Sequence, residues 1–128
     1  MSHFKHLTDL EIQQMTFDWR YRGWTTLELL TEEEVDEINE ELEKLRQERI
    51  GTESPEGKPW GDYDPFVYPH KLSAKLEKLF AHPKILEACE FLMEGEVDGM
   101  QSWVYFKPPG QLGRDQHQNA FYTGCKHN

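Results

Sequence analysis

His117 and Asn119 stand two positions apart in a segment, 115–122, whose pattern reads as a β-strand. Side chains at i and i+2 of a strand share a face, so the two can address one metal ion. The imidazole is a ready donor. The amide of Asn119 has the shape of a carboxylate without its charge, and its oxygen is a poor ligand for a divalent transition metal. Just upstream, Gln101, Trp103 and Tyr105 alternate with Ser102, Val104 and Phe106. One of these two faces should line an interior and the other should pack on helices. On residue type alone Trp103 and Tyr105 fill a core, and Lys107 serves the turn at Pro108-Pro109-Gly110. A set of His117, Cys125 and His127 matches no zinc spacing and reads more simply as a chain terminus. His82 precedes Pro83, where a capping role is expected, and His70 lies in an aromatic loop without an evident partner.

The elements that must position these residues are drawn from 128 residues, enough for one domain and too few for two. The formal net charge of -10 argues against nucleic acid and anionic membranes, both of which need clustered Lys and Arg. The acid is concentrated in 31–48 and reads as a solvated helix face. No apolar run is long enough to span a bilayer and no signal-peptide core follows Met1. Cys89 and Cys125 follow no pairing pattern and read as reduced thiols, which places the chain in the cytoplasm.

Thr8-Asp9-Leu10-Glu11 has capping-box spacing and predicts a helix to about Trp19, with Leu7, Ile12, Met15 and Trp19 at helical intervals. A short strand is expected over Trp24–Leu29. Thr31-Glu32-Glu33-Glu34 repeats the capping box and opens a helix to Glu48 that should bury Val35, Ile38, Leu42 and Leu45. The Gly- and Pro-rich segment 51–69 cannot be a continuous helix or a central strand. Its Trp60, Tyr63, Phe66 and Tyr68 predict an ordered loop packed over the fold. Leu72, Leu76 and Leu79 mark a helix. His82-Pro83 starts another, with Ile85, Leu86, Cys89, Leu92 and Met93 buried and Gly95 at its end. Strands are expected over Val97–Phe106 and Asp115–Tyr122.

Three of these features, in this order and spacing, resemble one family. They are the His82-Pro83-Lys84-Ile85-Leu86 helix, the Lys107-Pro108-Pro109-Gly110 turn and the His117-Gln118-Asn119 strand. Together with the segment Gly23–Val35 they resemble the phytanoyl-CoA dioxygenase-like oxygenases, which use Fe(II) and 2-oxoglutarate. The resemblance runs from about Gly23 to Tyr122. It implies an α+β fold in which N-terminal helices pack on the first strands of an incomplete double-stranded β-helix, or jelly roll, with 1–128 as a single domain. It places His117 and Asn119 at two iron-ligand positions, the second of which is usually Asp. It places Trp103, Tyr105 and Lys107 at cosubstrate contacts and Gln101 at a substrate contact.

The family's distal histidine and its 2-oxoglutarate-gripping arginine have no counterpart after Tyr122. The expectation is therefore the N-terminal portion of an oxygenase of small organic or acyl substrates, truncated and inactive alone, with no catalytic residue assigned. The alternative belongs to another class: a non-catalytic member or fragment that self-associates or binds a partner. In that reading the strand 97–106 offers an open edge, and a homo-oligomer or a missing C-terminal half completes the fold.

Overall fold

The computed structural model describes residues 4–113 and 115. Helix α1 (Asp9–Tyr21) begins at Thr8, whose side chain accepts from the Glu11 N–H while the Glu11 carboxylate accepts from the Thr8 N–H, the complete capping box. At the other end, Asp18 stops the helix. Its carbonyl accepts from the N–H groups of Arg22 and Gly23, and its half of the turn is secured by Thr25 Oγ1 donating to the carboxylate at 3.1 Å.

Helix α2 (Glu32–Arg49) starts with Thr31 accepting from the Glu34 N–H at 3.1 Å. The Glu34 carboxylate turns instead to His82 Nε2, 2.9 Å away, and ties α2 to the start of α4 (Pro83–Met93). His82 Nδ1 accepts from the Lys84 N–H, so the residue before Pro83 is the expected helix cap. A 3-10 turn (Pro69–Lys71) leads into α3 (Ala74–Phe80), which packs on α2. A two-stranded antiparallel sheet joins β1 (Phe66–Val67) to β2 (Trp103–Val104), with Phe66 opposite Val104 and Val67 opposite Trp103. The fold is α+β.

Three expectations need correction. The segment Trp24–Leu29 pairs with no strand among the described residues. Its alternation is real, since Leu27 and Leu29 turn onto the core while Trp24, Thr26 and Glu28 face outward. Gln14 Nε2 donates to the Thr26 carbonyl at 2.9 Å, so a side chain supplies a bond that a ladder would have given. Second, α2 buries none of its residues fully: Ile38, Leu42 and Leu45 are half-buried and Val35 is 40% exposed. Third, α4 presents Ala88, Phe91 and Leu92 to the core, leaving Cys89 and Met93 exposed. The left-handed position that ends α4 is Glu94 (φ 56°), one residue before the glycine.

Phe66 in β1 and Leu76 in α3 are buried, and the core cluster lies between α1 and α4. Leu7, Met15 and Ala88 are its buried members, with Met15 wholly out of contact with water, and Phe4, Ile12, Leu27, Leu29, Phe91 and Leu92 surround them. Phe4 meets Phe91 edge-on at 5.7 Å. The segment before α1 is held down by one carboxylate. Glu87 accepts from the backbone N–H groups of Lys5, His6 and Leu7 at 2.8, 2.7 and 3.1 Å.

Candidate functional site

The strand expected over Val97–Phe106 forms ladder bonds only at Trp103–Val104, extended by the Tyr68 N–H donating to the Ser102 carbonyl at 2.9 Å. The reason is on the partner side. Pro65 and Pro69 bracket Phe66, Val67 and Tyr68, and a proline has no N–H to give a ladder. Tyr68 itself takes a left-handed conformation (φ 54°, ψ 49°) that swings the chain away into the 3-10 turn.

The alternation over 101–106 holds nonetheless. Ser102, Val104 and Phe106 are half-buried, and Phe106 meets Phe66 edge-on at 5.8 Å. Trp103 and Tyr105 take the other face, 45% and 46% exposed, with their rings parallel and 5.8 Å apart. Gln101 joins them, its Oε1 accepting from the Trp103 indole N–H at 3.3 Å. The two aromatics therefore do not fill a core. They make an open aromatic face with an amide at its end. Lys107 is exposed at the entrance to a turn closed by the Gln111 N–H and the Pro108 carbonyl, with Gly110 at φ +83° as the turn requires.

Behind this face sits a pair that the residue pattern did not reveal. His70 Nδ1 and Ser102 Oγ are 2.5 Å apart, joining residues 32 positions distant. The His70 ring lies flat on Phe80, with centroids 4.0 Å apart and planes 5° from parallel, and Tyr68 meets it edge-on. A methyl group added at Gly99 would strike the Phe80 ring, so glycine is needed there for the chain to pass. The expectation that His70 has no partner is corrected: it is among the most fully engaged side chains of the molecule.

A second missed feature is the pair of arginines near the end of α2. The Arg49 guanidinium lies between Trp60 and Phe66, 4.1 and 3.7 Å from their ring centres. It donates to the carbonyls of Asp64 and Pro65 as well. Burial pushes its pKa down, although Asp64 opposes this. Arg46 donates to the Asp62 carbonyl and pairs with Glu43, whose carboxyl is lowered to about 2 by hydrogen bonds from Arg46 and Gln47. These contacts hold the segment 51–69 as the ordered loop its aromatics predict. Within it, Gly51 and Trp60 pair across a small hairpin that turns at Gly57 (φ +79°).

His117, Asn119, Cys125 and His127, and the strand expected over 115–122 apart from Asp115, lie outside the described residues. Among the described residues no three His, Cys, Asp or Glu side chains come together as a metal site needs, and no helix is long and apolar enough to cross a membrane. As donors, one imidazole and a neutral amide do not make the two-histidine, one-carboxylate set of a non-heme iron centre. No family model, curated protein or solved structure matches the chain.

Proposed function

We propose that this chain derives from the phytanoyl-CoA dioxygenase-like oxygenases, as the opening portion of their jelly roll, and does not itself turn over 2-oxoglutarate. The observation that carries the reading is the orientation of residues 101–106. Gln101, Trp103 and Tyr105 share one open face, where the family resemblance puts substrate and cosubstrate contacts, while Ser102, Val104 and Phe106 turn toward the helices. The donor chemistry argues against turnover, because Asn119 supplies neither the charge nor the hard oxygen of a carboxylate. The test is succinate formation from 2-oxoglutarate with Fe(II) under air. No succinate above the enzyme-free control is expected. Iron-dependent succinate would refute the proposal.

A second reading, as a module that binds itself or a partner, is favoured by one observation. Among the described residues β1 and β2 pair only with each other, so each keeps a free edge, and free edges recruit further strands. The net charge of -10 opposes close approach, but only over a Debye length of about 8 Å at physiological salt. Light scattering should find a dimer or larger species at high concentration. A monodisperse monomer with slowly exchanging amides over 97–106 would exclude this reading.

A further inference from the structure

We infer that the cavity behind the sheet is a binding site for a neutral aliphatic molecule with a single hydrogen-bonding oxygen, an aliphatic alcohol in the simplest case. The cavity is about 520 Å³, is lined by α2, α3, α4 and the segment 97–104, and opens to solvent past Met93 and Trp103. That volume falls within the roughly 300–1,000 Å³ of small-molecule sites. Its walls are mostly apolar: Ile38 and Leu42 from α2, Leu79 from α3, Leu86 from α4, and Val97 and Val104 from the closing segment, with Phe80 and Trp103 beside them. The six aliphatic residues are half-buried, while Leu76 beneath them is buried. An apolar chain laid among them would complete burial that the fold leaves unfinished.

The polar end of the site is the Ser102–His70 pair, both members of which line the cavity. A hydroxyl has one donor and two acceptor positions, and the bond to His70 uses one of the three. Ser102 Oγ therefore keeps capacity for one more partner without losing the first. Its position is fixed from three directions. Its carbonyl is held by the Tyr68 N–H, its hydroxyl by His70, and the His70 ring by the face of Phe80. The left-handed backbone at Tyr68 is what delivers His70 to this place, a costly conformation for a residue other than glycine.

Charge selects the class of ligand. Asp98 also borders the cavity, and the whole chain carries -10, so a fatty carboxylate would be repelled where an alcohol would not. The proposal rests on the His70–Ser102 pair and the aliphatic wall; Trp103 borders the cavity, whereas Gln101 and Tyr105 do not. It stands or falls separately from the oxygenase reading.

The experiment is a titration of the full chain with octanol and, separately, octanoate, followed by amide chemical shifts and the Trp103 indole N–H. Octanol should give saturable shifts centred on residues 69–71 and 97–104, and octanoate should bind at least tenfold more weakly. Ser102→Ala should weaken octanol about fivefold, the loss of one neutral hydrogen bond. Leu42→Phe, which narrows the cavity from α2, should weaken it further. Shifts that do not saturate or that map elsewhere, octanoate binding as well as octanol, or unchanged affinity in a folded Ser102→Ala chain would each overturn the inference. The wild-type titrations decide the matter even if neither variant folds.

Discussion

The α1–α4 side and the α2–α3–sheet side of this molecule bury apolar residues in different ways. Between α1 and α4, Met15 is fully enclosed, Leu7 and Ala88 are buried beside it, and six partly buried neighbours close the shell. On the other side Phe66 in β1 and Leu76 in α3 are buried, but α2 has no buried residue and its apolar stripe faces a cavity. What organises that side is polar and aromatic: the Arg49 guanidinium between two rings, the His82–Glu34 pair, and His70 between Phe80 and Ser102. One side is held mainly by packing, which is insensitive to direction. The other combines two buried side chains, Phe66 and Leu76, with directed contacts, which place atoms well but leave space between them.

The sharpest way to break that comparison is a matched pair of truncations. Met15→Ala should cost about 3 kcal/mol, since it opens a void in the one wholly closed part of the core. Leu42→Ala should cost about 1 kcal/mol, because its side chain is only half-buried and already borders open space. Denaturant midpoints measured with an unchanged slope check both. Equal losses would mean that the two sides are packed alike.

The legible parts of the fold were those encoded within a few residues. The Thr8 and Thr31 caps, the starts of α1 and α2 and the cap at His82 all depend on contacts one to four positions apart. Trp24–Leu29 shows where local reading stops. Its alternation was visible, but whether a strand lies alongside depends on residues elsewhere, and a Gln14 side chain took part of that place. The same applies to burial on α2 and α4, because periodicity identifies an apolar face without saying how closely a neighbour covers it. At the candidate site, the alternation of 101–106 was legible from strand geometry alone. The His70–Ser102 pair was not, since it spans 32 residues and depends on the turn at Tyr68. Arg49 is a basic residue at a helix C-terminus, and nothing in its neighbours along the chain foretells the two rings that flank it.

Removing the clamp is the next largest effect. Arg49→Ala should cost about 2 kcal/mol, combining charge-assisted bonds to two carbonyls with contacts to Trp60 and Phe66. Arg49→Lys should recover less than half of this, because an ammonium cannot lie flat between two rings while donating sideways to two acceptors. Trp60 fluorescence should shift toward that of a solvated indole in the alanine variant and partly so in the lysine one. A lysine variant as stable as the native chain would show that charge alone holds the loop, and that the α2–α3–sheet side depends less on directed contacts.

The smallest effect concerns the strap that closes the packed side. Burial raises the Glu87 carboxyl, but the N–H groups of Lys5, His6 and Leu7, together with the charge of His6, more than offset this and leave its pKa below the ordinary 4.5. A carboxyl whose pKa is lowered on folding contributes stability that is fully present above the unfolded value. That contribution is lost as pH falls through the folded value. Glu87→Gln should therefore cost about 1 kcal/mol at neutral pH, in keeping with weakened bonds at a partly exposed site. The difference from the native chain should shrink as the pH falls below the ordinary 4.5 and vanish once it is below the lowered folded value, where the native carboxyl is itself neutral. Hydrogen exchange at the amides of Lys5, His6 and Leu7 should accelerate over the same range while the amides of α1 stay protected. If the α1 amides open together with the strap, the carboxylate is part of the core's own stability, and the packed side too depends on a directed contact.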